Sequence, residues 1–313
     1  MTTATSTLRL GTRRSALALA QSSTVADAVR RHGHDVELVE VVTEGDRSAA
    51  AITTLGGTGV FVTELRRQLL DGSIDLAVHS LKDLPTQPAD GLVVVALPQR
   101  EDPRDALVNR DGVTLAELPS GSRVGTGSPR RTAQLRALGL GLEIVAIRGN
   151  VDTRLRKVTD GELDAVVVAA AGLSRLGRLD AAAEILDPGQ MLPAPGQGAL
   201  AVECRAGDTE LATALGKLLD DPLSRAAVTA ERTLLAALEA GCTAPVGALA
   251  DIGLDESGND ELYLRAIVVA VDGSRAVRLS TTGPLADSER LGQRLAADLL
   301  DAGAAGLIGE TNP

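Results

Sequence analysis

The sequence predicts an α/β protein of three domains, in which two similarly built α/β lobes flank a cleft and a small α+β domain follows. Strand-like apolar runs alternate with helix-like runs over most of the 313 residues, which is typical of sheets covered by helices. Two segments of the first lobe recur in the same order in the second. Three strand-like runs followed by one helix-like run give the C-terminal part an α+β character.

The first lobe begins with four short apolar runs of strand type and two runs with the three- and four-residue spacing of helices. Strands are expected at Leu8–Gly11, Val36–Val42, Ile74–His79 and Leu92–Leu97, and helices at Ser15–Arg31 and Val60–Leu70. Residues 43–61, TEGDRSAAAITTLGGTGVF, show no clear periodicity. They predict a flexible loop of the kind that covers a cleft as a lid. Their GGTG lacks the Gly-Lys-Ser/Thr ending of a phosphate-binding loop.

The second lobe continues the alternation and repeats the first. Its strands are expected at Arg123–Thr126, Glu143–Ile147 and Ala165–Ala169, with helices near Pro129–Leu138 and Val151–Thr159. RLGTRRSALALAQ in the first lobe matches RVGTGSPRRTAQL in the second, and DGSIDLAVHS matches DGELDAVVVA. Two matches in one order favour two lobes of one design, and their equivalent strand-to-helix turns would then face a cleft.

The remaining chain predicts a return crossing and a third domain. LPAPGQGALAVECR has the pattern of a Pro/Gly-rich crossing followed by a strand. A helix is expected at Leu223–Ala240, strands at Val246–Leu249, Leu262–Val271 and Ala276–Thr281, and a last helix at Ala286–Ala302. The expected domains are residues 1–101 with 199–220, residues 102–198, and residues 221–313, the last being α+β.

Composition excludes several classes of function. The chain has one Phe, one Tyr and no Trp, which argues against the aromatic base stacking of single-stranded nucleic-acid binders. A formal net charge of −11 disfavours a general polyanion binder. The sequence shows no signal peptide and no apolar run of membrane-spanning length, so a cytoplasmic protein with reduced thiols is expected.

The two cysteines have different surroundings. Cys204 lies in the strand-like run ALAVECR, where burial is the expectation. Cys242 lies in AGCTAPVG, a glycine-flanked loop, and its thiol could be buried, bind a metal, form a disulfide or carry a covalent group. Reduced thiols argue against a disulfide, and the three histidines show no zinc-type spacing with either cysteine. No structural metal is therefore expected.

The strand-to-helix turns are candidate anion sites. In GTGSPRR, Ser128 can cap a helix, Pro129 suits its first position, and Arg130 and Arg131 follow. Free amides, the helix dipole and two guanidinium groups would then converge on one carboxylate or phosphate. GTRRS, which ends at Ser15, repeats the pattern in the first lobe. The alternative for either turn is a capped helix with solvated arginines.

Further charged residues follow other predicted strands. HSLKDLP places Lys82 and Asp83 directly after one strand, and Arg148 and Arg154 follow another in IRGNVDTRLRK. In a cleft, Asp83 could hold developing positive charge and transfer protons while Lys82 binds an anion; the alternative is a solvated ion pair. Because ligands of α/β folds bind at the carboxyl ends of strands, these positions predict a small ligand rich in carboxylates or phosphates.

Taken in order, the motifs resemble one protein family. They are GTRRSALALAQ, TEGDR, HSLKDLP, DPRDALV, GTGSPRR, RGNVDTRL, LPAPGQGALAVECR and ERTLLAALEAGCTAPVGALA. In series they resemble the porphobilinogen deaminase, or hydroxymethylbilane synthase, family over nearly the whole chain. The resemblance implies two lobes like those of periplasmic binding proteins and a small α+β domain that carries a cysteine loop. It implies a monomeric cytoplasmic transferase of haem biosynthesis, with no metal.

The resemblance also implies a cofactor and a reaction. The family's cysteine, here Cys242, forms a thioether to a dipyrromethane cofactor assembled from the substrate itself. Four porphobilinogen molecules are deaminated and added head to tail, and water releases linear hydroxymethylbilane. By the same resemblance, Asp83 contacts pyrrole N–H groups, stabilises the cationic azafulvene and transfers protons. The residues that would bind acetate and propionate side chains are Arg13, Ser15, Lys82, Ser128, Arg130, Arg131, Arg148 and Arg154, with Thr126 and Gln197 as pocket or hinge residues.

Some positions depart from the family pattern. Many relatives carry lysines in the lid motif, where this chain has Thr58 and Thr63, so the loop contributes less positive charge here. Phe61 matches the lid and would either cover the pyrroles or anchor the following helix in the core. Many relatives have GTSSLRR where this chain has GTGSPRR, so a serine at position 127 is missing.

Two other functions fit part of the pattern. A small-anion receptor with two binding-protein lobes would use the same arginines but gives no reason for GCTAPVG. A transferase of a phosphorylated metabolite would use Lys82 and Asp83 without a tethered cofactor. The mass of the intact chain separates these from a chain that carries a covalent cofactor.

Overall fold

Three β-sheets organise the part of the chain that the structure describes, and they form where the sequence has short apolar runs. The structure, a computed structural model, describes residues 7–42, 62–240 and 244–308. The strands are β1 (Leu8–Arg13), β2 (Val36–Val41), β3 (Leu76–Ser80), β4 (Leu92–Ala96), β5 (Asp105–Asn109), β6 (Arg123–Thr126), β7 (Glu143–Ala146), β8 (Ala165–Ala169), β9 (Glu184–Ile185), β10 (Leu200–Arg205), β11 (Val246–Leu254), β12 (Asp260–Val269) and β13 (Ala276–Pro284). The helices are α1 (Ala16–Arg31), α2 (Thr63–Leu70), α3 (Pro129–Ala137), α4 (Val151–Thr159), α5 (Ala170–Arg175), α6 (Thr209–Leu219), α7 (Pro222–Ala237), α8 (Ser288–Asp301) and α9 (Ala305–Ile308).

The chain divides into two compact units. Unit 1 comprises residues 1–100 and 199–225, and unit 2 comprises residues 101–198 and 226–313. Unit 1 contains the first sheet, whereas unit 2 contains the second sheet and the small C-terminal sheet. The predicted α/β class, with two lobes and a small α+β part, is confirmed. The exact limits of three separate domains stay a prediction.

The first two sheets share one topology. The first has the order β2-β1-β3-β10-β4 and the second has the order β7-β6-β8-β5-β9. In each, the first three strands are parallel, and the fourth runs antiparallel to the third. The matched segments fill equivalent places, since β1 corresponds to β6 and β3 corresponds to β8. The internal repeat predicted from the two pairs of matching segments is therefore confirmed in unit 1 and unit 2.

The glycine of each repeated Gly-Thr pair has the same packing role. A Cβ atom on Gly11 would lie 2.3 Å from Cδ1 of Ile74, and one on Gly125 would lie 2.5 Å from Cδ1 of Leu163. Glycine normally weakens a strand, but here it lets an apolar side chain pack directly against the backbone. Each lobe therefore repeats a close contact as well as a strand order.

Several elements were not predicted or have other limits. The strands β5 and β9 and the helices α5 and α6 were missed, and β11 continues five residues beyond the predicted end at Leu249. The strand β5 begins with a charged residue, Asp105, so its short apolar run gives a weak signal in sequence. The strand β11 is longer because it pairs with β12 along its whole length up to Leu254.

The small C-terminal sheet is a three-stranded antiparallel meander in the order β11-β12-β13. One face packs against α7 and α8, where alanine and leucine side chains form the core. On the other face, Leu249, Ile267 and Val269 pack against Ala133 and Leu192 of the second lobe. Among the described residues, no helix has both the length and the apolar character that a membrane crossing needs.

A buried charged cluster lies in the first sheet. Glu203 of β10 accepts hydrogen bonds from the Arg66 guanidinium of α2, the shortest at 2.9 Å, and its Oε2 lies 3.2 Å from Nε2 of His79. Burial by itself would raise the pKa of the Glu203 carboxyl, but His79 and Arg66 together hold that pKa below its ordinary value. The carboxylate therefore stabilises the folded state in its ionised form.

We expect the stability that Glu203 contributes to be lost in acid. Because the folded-state pKa is lowered, the contribution is fully present above the ordinary carboxyl value of 4.5 and disappears as the pH falls through the lowered folded value. Glu203→Gln should lower the free energy of unfolding at pH 7 by about 3 kcal/mol, as expected for a broken buried ion pair. Urea unfolding should show a smaller difference in the free energy of unfolding between parent and variant at acidic pH than at pH 7. A difference independent of pH would contradict this account.

Candidate functional site

In unit 1, the predicted site residues lie at the carboxyl edge of the first sheet. Arg13 ends β1, and Ser15 caps α1, accepting a hydrogen bond of 3.2 Å from the backbone N–H of Ala18. Lys82 and Asp83 follow β3 in a short 3-10 turn. Because β1 and β3 are parallel neighbours, their carboxyl ends meet at one edge. The structure thus brings these four predicted residues to one edge, as expected.

The turn that carries Lys82 and Asp83 is held at its base. The backbone N–H of Leu81 donates to the carbonyl of Ala199 at 3.0 Å. One residue earlier, Nε2 of Gln21 donates to Oγ of Ser80 at 3.0 Å. Both side chains of the turn are half-buried. A turn fixed by neighbouring elements can present a carboxylate and an ammonium group without a large ordering cost.

In unit 2, the turn between β6 and α3 has the predicted cap. Oγ of Ser128 accepts a hydrogen bond of 3.4 Å from the backbone N–H of Arg131, and Pro129 takes the first turn of the helix. Oγ1 of Thr126 in turn accepts from the backbone N–H of Ser128 at 3.2 Å. The positive end of the helix dipole therefore lies at this edge of the second sheet.

Glycine at position 127 has a spatial reason. A Cβ atom there would lie 2.5 Å from the carbonyl oxygen of Ile147. The turn after β6 thus packs against the chain leaving β7. A serine in this place would require the backbone to move.

Arg130 and Arg131 are buried and ion-paired, which corrects the alternative of solvated arginines. Only 3% of Arg130 and 5% of Arg131 are exposed. Both contact the carboxylate of Asp105, at 2.8 Å from Nη2 of Arg130 and at 2.7 Å from Nη2 of Arg131. Arg130 also donates to the carbonyl of Leu192, and Arg131 donates to that of Val167. Their side chains are fixed by the fold before any ligand arrives.

The electrostatics of this cluster leave it positively charged. Burial alone would raise the pKa of the fully buried Asp105 carboxyl, but the two guanidinium groups outweigh burial and hold that pKa far below its ordinary value. Burial lowers the pKa of the Arg130 guanidinium, and the neighbouring charge of Arg131 lowers it too, so that together they outweigh the opposite effect of Asp105. Two cations facing one anion leave a net positive charge. Nε of Arg130 is buried without a hydrogen-bond partner, so a donor remains for an anion.

Gln197 contacts the same carboxylate from the return crossing. Its Nε2 donates to Oδ1 of Asp105 at 2.8 Å and to the carbonyl of Pro103 at 2.7 Å. The residue is almost fully buried. The structure therefore places this predicted pocket residue against the carboxylate that both arginines share, where it helps to hold Asp105.

Arg148 and Arg154 lie beyond the end of β7. Arg148 is exposed, two residues after the strand, and Asn150 caps α4 by accepting from the backbone N–H of Thr153 at 2.9 Å. Nε of Arg154 donates to the carbonyl of Gly149 at 2.9 Å. Since β6, β7 and β8 are parallel, these residues share the carboxyl edge with Ser128.

Two charged residues of unit 2 that pair with predicted site elements were missed in the sequence. Asp105 begins β5, which runs antiparallel to β8, so its position coincides with the carboxyl end of β8. Arg175 ends α5, and its Nη2 donates to the carbonyl of Gly198 at 2.6 Å; burial lowers the pKa of its guanidinium. Asp105 lies in DPRDALV at the start of a strand, and Arg175 lies in GLSR at the end of the helix that follows β8. Neither charge reveals its partner in the sequence.

The structure describes only one of the two cysteines. Cys204 is fully buried in β10, and burial raises the pKa of its thiol to about 11, so this thiol is unreactive at neutral pH. Cys242 lies outside the described residues, and so do Phe61 and Thr58. In the part of the chain that the structure describes, no group of His, Cys, Asp and Glu side chains is arranged to hold a metal ion.

Comparison with solved structures gives partial matches of low sequence identity. The methionine binding protein MetQ matches with a TM-score of 0.44 and 16% identity, covering 67% of this chain and 89% of that chain. The periplasmic VFT2 domain of BvgS from Bordetella pertussis matches with a TM-score of 0.42 and 19% identity, covering 68% of this chain and 86% of that chain.

Comparison with curated proteins finds far closer relatives. Porphobilinogen deaminase 1 of Streptomyces coelicolor is 59% identical over 312 residues, covering 97% of this chain and 98% of the relative. Porphobilinogen deaminase of Mycobacterium marinum is 58% identical over 310 residues with the same coverage. The enzyme of that name from Mycobacterium tuberculosis is 59% identical over 305 residues, covering 96% of this chain and 98% of the relative.

Family models match the chain in two parts. Residues 8–213 match "Porphobilinogen deaminase, dipyromethane cofactor binding domain", and residues 225–301 match "Porphobilinogen deaminase, C-terminal domain". These matches confirm the resemblance that the ordered motifs predict, and with it the transferase class and the dipyrromethane cofactor. The chain belongs to the porphobilinogen deaminase family.

Proposed function

We propose that this chain deaminates four porphobilinogen molecules and condenses them head to tail on a covalently bound dipyrromethane primer, then releases linear hydroxymethylbilane by hydrolysis. The observation that carries the proposal is the buried pair Arg130 and Arg131 with a single shared carboxylate, because it leaves a fixed positive charge at a sheet edge. Porphobilinogen carries an acetate and a propionate, so each added unit brings two more carboxylates to be bound.

The residues present fit the dipyrromethane cofactor. An anionic group beside the second sheet would meet the helix dipole at Ser128, the net positive charge of the arginine pair and the unpaired Nε of Arg130. Ser128, Arg130 and Arg131 would bind the cofactor's carboxylates, and Lys82 and Asp83 are the other residues that we propose for cofactor binding. Cys242 would hold it through a thioether. When bound, the cofactor supplies the pyrrole end to which new units are joined.

Asp83 is the proposed catalytic residue. Its carboxylate, carried by the turn after β3, would accept hydrogen bonds from pyrrole N–H groups and stabilise the positive charge that develops as ammonia leaves. The same carboxylate would serve proton transfer when the ring carbon gives up its hydrogen. Lys82, beside it, would bind a substrate carboxylate and keep the incoming pyrrole in place.

The remaining predicted residues would bind the incoming substrate. Arg13 and Ser15 lie at the edge of the first sheet, and Arg148 and Arg154 lie at the edge of the second. Thr126 and Gln197 would shape the pocket from behind the arginines, and Phe61 would cover the pyrroles from the glycine-rich loop. A cytoplasmic monomer without nucleic-acid or membrane partners, with domains 1–101 plus 199–220, 102–198 and 221–313, completes the proposal.

An activity assay tests this function. Incubation of the purified chain with porphobilinogen should consume the substrate, release one ammonia per molecule consumed, and form a product that oxidises to a porphyrin. A receptor would bind porphobilinogen without consuming it. Absence of ammonia release at saturating substrate would overturn the proposal.

A further inference from the structure

Asp105 is a buried carboxylate shared by two adjacent arginines, an arrangement that ligand binding by the arginines does not by itself require. Asp105 is fully buried, and its two oxygens are divided between the neighbouring arginines. Oδ2 lies 2.8 Å from Nη2 of Arg130. Oδ1 accepts from both Nε and Nη2 of Arg131, at 3.1 Å and 2.7 Å. The carboxylate thus sets the spacing and the plane of both guanidinium groups.

The orientation of this carboxylate is itself set from outside the arginine turn. Gln197 donates to Oδ1 from the return crossing. The same crossing is held at Leu192, whose carbonyl accepts from Nη1 of Arg130 and whose N–H donates to Oε1 of Gln134 at 2.8 Å. One closed set of contacts therefore links Asp105, the arginine turn and the crossing, all within unit 2.

We infer that Asp105 is a positioning residue for carboxylate binding: it aligns Arg130 and Arg131 and limits their combined charge so that they receive one carboxylate of a pyrrole side chain. The inference rests on the proposed function. Without Asp105, two guanidinium groups on adjacent residues would repel each other and turn apart. With it, one donor of the pair, Nε of Arg130, is left unpaired in a buried place, where a ligand carboxylate would complete the set.

A second cluster in the chain provides a matched control. Asp75 in unit 1 also holds two arginines, since its Oδ1 lies 2.8 Å from Nη2 of Arg9 and 3.1 Å from Nη2 of Arg205. It stands just before β3, whereas Lys82 and Asp83 follow that strand. A change at Asp75 therefore disturbs a carboxylate shared by two guanidinium groups without touching the predicted site residues.

The test compares Asp105→Glu with Asp75→Glu, because each variant keeps the negative charge and displaces the carboxylate by one methylene. The fraction of purified chain that carries the added mass of two pyrrole units is measured by intact mass under denaturing conditions. For the loaded fraction, KM and kcat for porphobilinogen are measured separately. Asp105→Glu should load at least about tenfold less or raise KM by about that factor, since displacing a binding group by about 1 Å costs on that order or more.

Asp75→Glu should load fully and keep its KM, even where its free energy of unfolding falls. Full loading and an unchanged KM in Asp105→Glu would overturn the positioning role and leave Asp105 as a structural counter-charge. Asp105→Asn is a second test, because its amide places an N–H donor against an arginine. This variant should carry less cofactor in its folded fraction. Full loading of that fraction would also overturn the positioning role. A parent chain without added mass would instead overturn the proposed function, and this inference with it.

Discussion

Cys242→Ser should yield a chain whose intact mass lacks the increase of two pyrrole units that the parent carries. The thiolate is the nucleophile in thioether formation, and a serine hydroxyl is not ionised at neutral pH. Without a tether, no primer remains for condensation, so turnover of porphobilinogen should fall to the background of the assay. Intact mass under denaturing conditions and ammonia release measure the two effects independently.

Cys204→Ser is the matched control for the thiol. Cys204 is buried in β10 with its pKa raised to about 11, so its loss should leave the added mass unchanged. The free energy of unfolding of this variant checks that it still folds, because the substitution places a hydroxyl in an apolar core. An unmodified and fully active parent would contradict the covalent cofactor, and an added mass that survives Cys242→Ser would place it on another residue.

Asp83→Asn should nearly abolish turnover while the fold persists. The amide keeps the size of the side chain but loses the negative charge that would face the cationic pyrrole as ammonia leaves. Removal of one such electrostatic contact typically lowers kcat by a factor on the order of 100 to 1,000. The effect should lie in kcat more than in KM, since the contact is strongest in the transition state.

Asp90→Asn provides a control of equal charge. Asp90 is exposed and lies a few residues beyond the turn, before β4. The kcat of Asp90→Asn should match that of the parent, and circular dichroism should show that Asp83→Asn and Asp90→Asn are both folded. Near-normal turnover in Asp83→Asn would remove Asp83 from its catalytic role.

Much of the fold could be predicted because its signals are local. The strands at Leu8, Val36 and Arg123 begin where apolar runs follow turn residues, and Ser15 and Ser128 cap the helices that follow, as their side chains predict. The repeat was visible because equivalent turns need the same glycine and capping residues. The strand β5 was missed, because its membership of the sheet depends on pairing with β8 more than on its own five residues.

For the candidate site, the sequence predicted the positions of the charged residues and not their ionic partners. The positions of Lys82, Asp83 and the arginines at strand ends followed from the order of strands and turns. The ionic partners did not, because Asp105 stands 26 residues from Arg131 and meets it only through the antiparallel pairing of β5 with β8. A sequence can present Arg130 and Arg131 equally as a solvated pair or as a buried one.

By itself, the sequence determined the α/β alternation, the helix caps, the two-lobe repeat and the family, because each is written in neighbouring residues or in ordered motifs. It also distinguished Cys242 in a glycine-flanked loop from Cys204 in a strand. Only the tertiary structure decided that Arg130 and Arg131 are buried and share Asp105. The physical reason is that burial and pairing depend on which strands become neighbours, and strand order is set by the packing of the whole sheet.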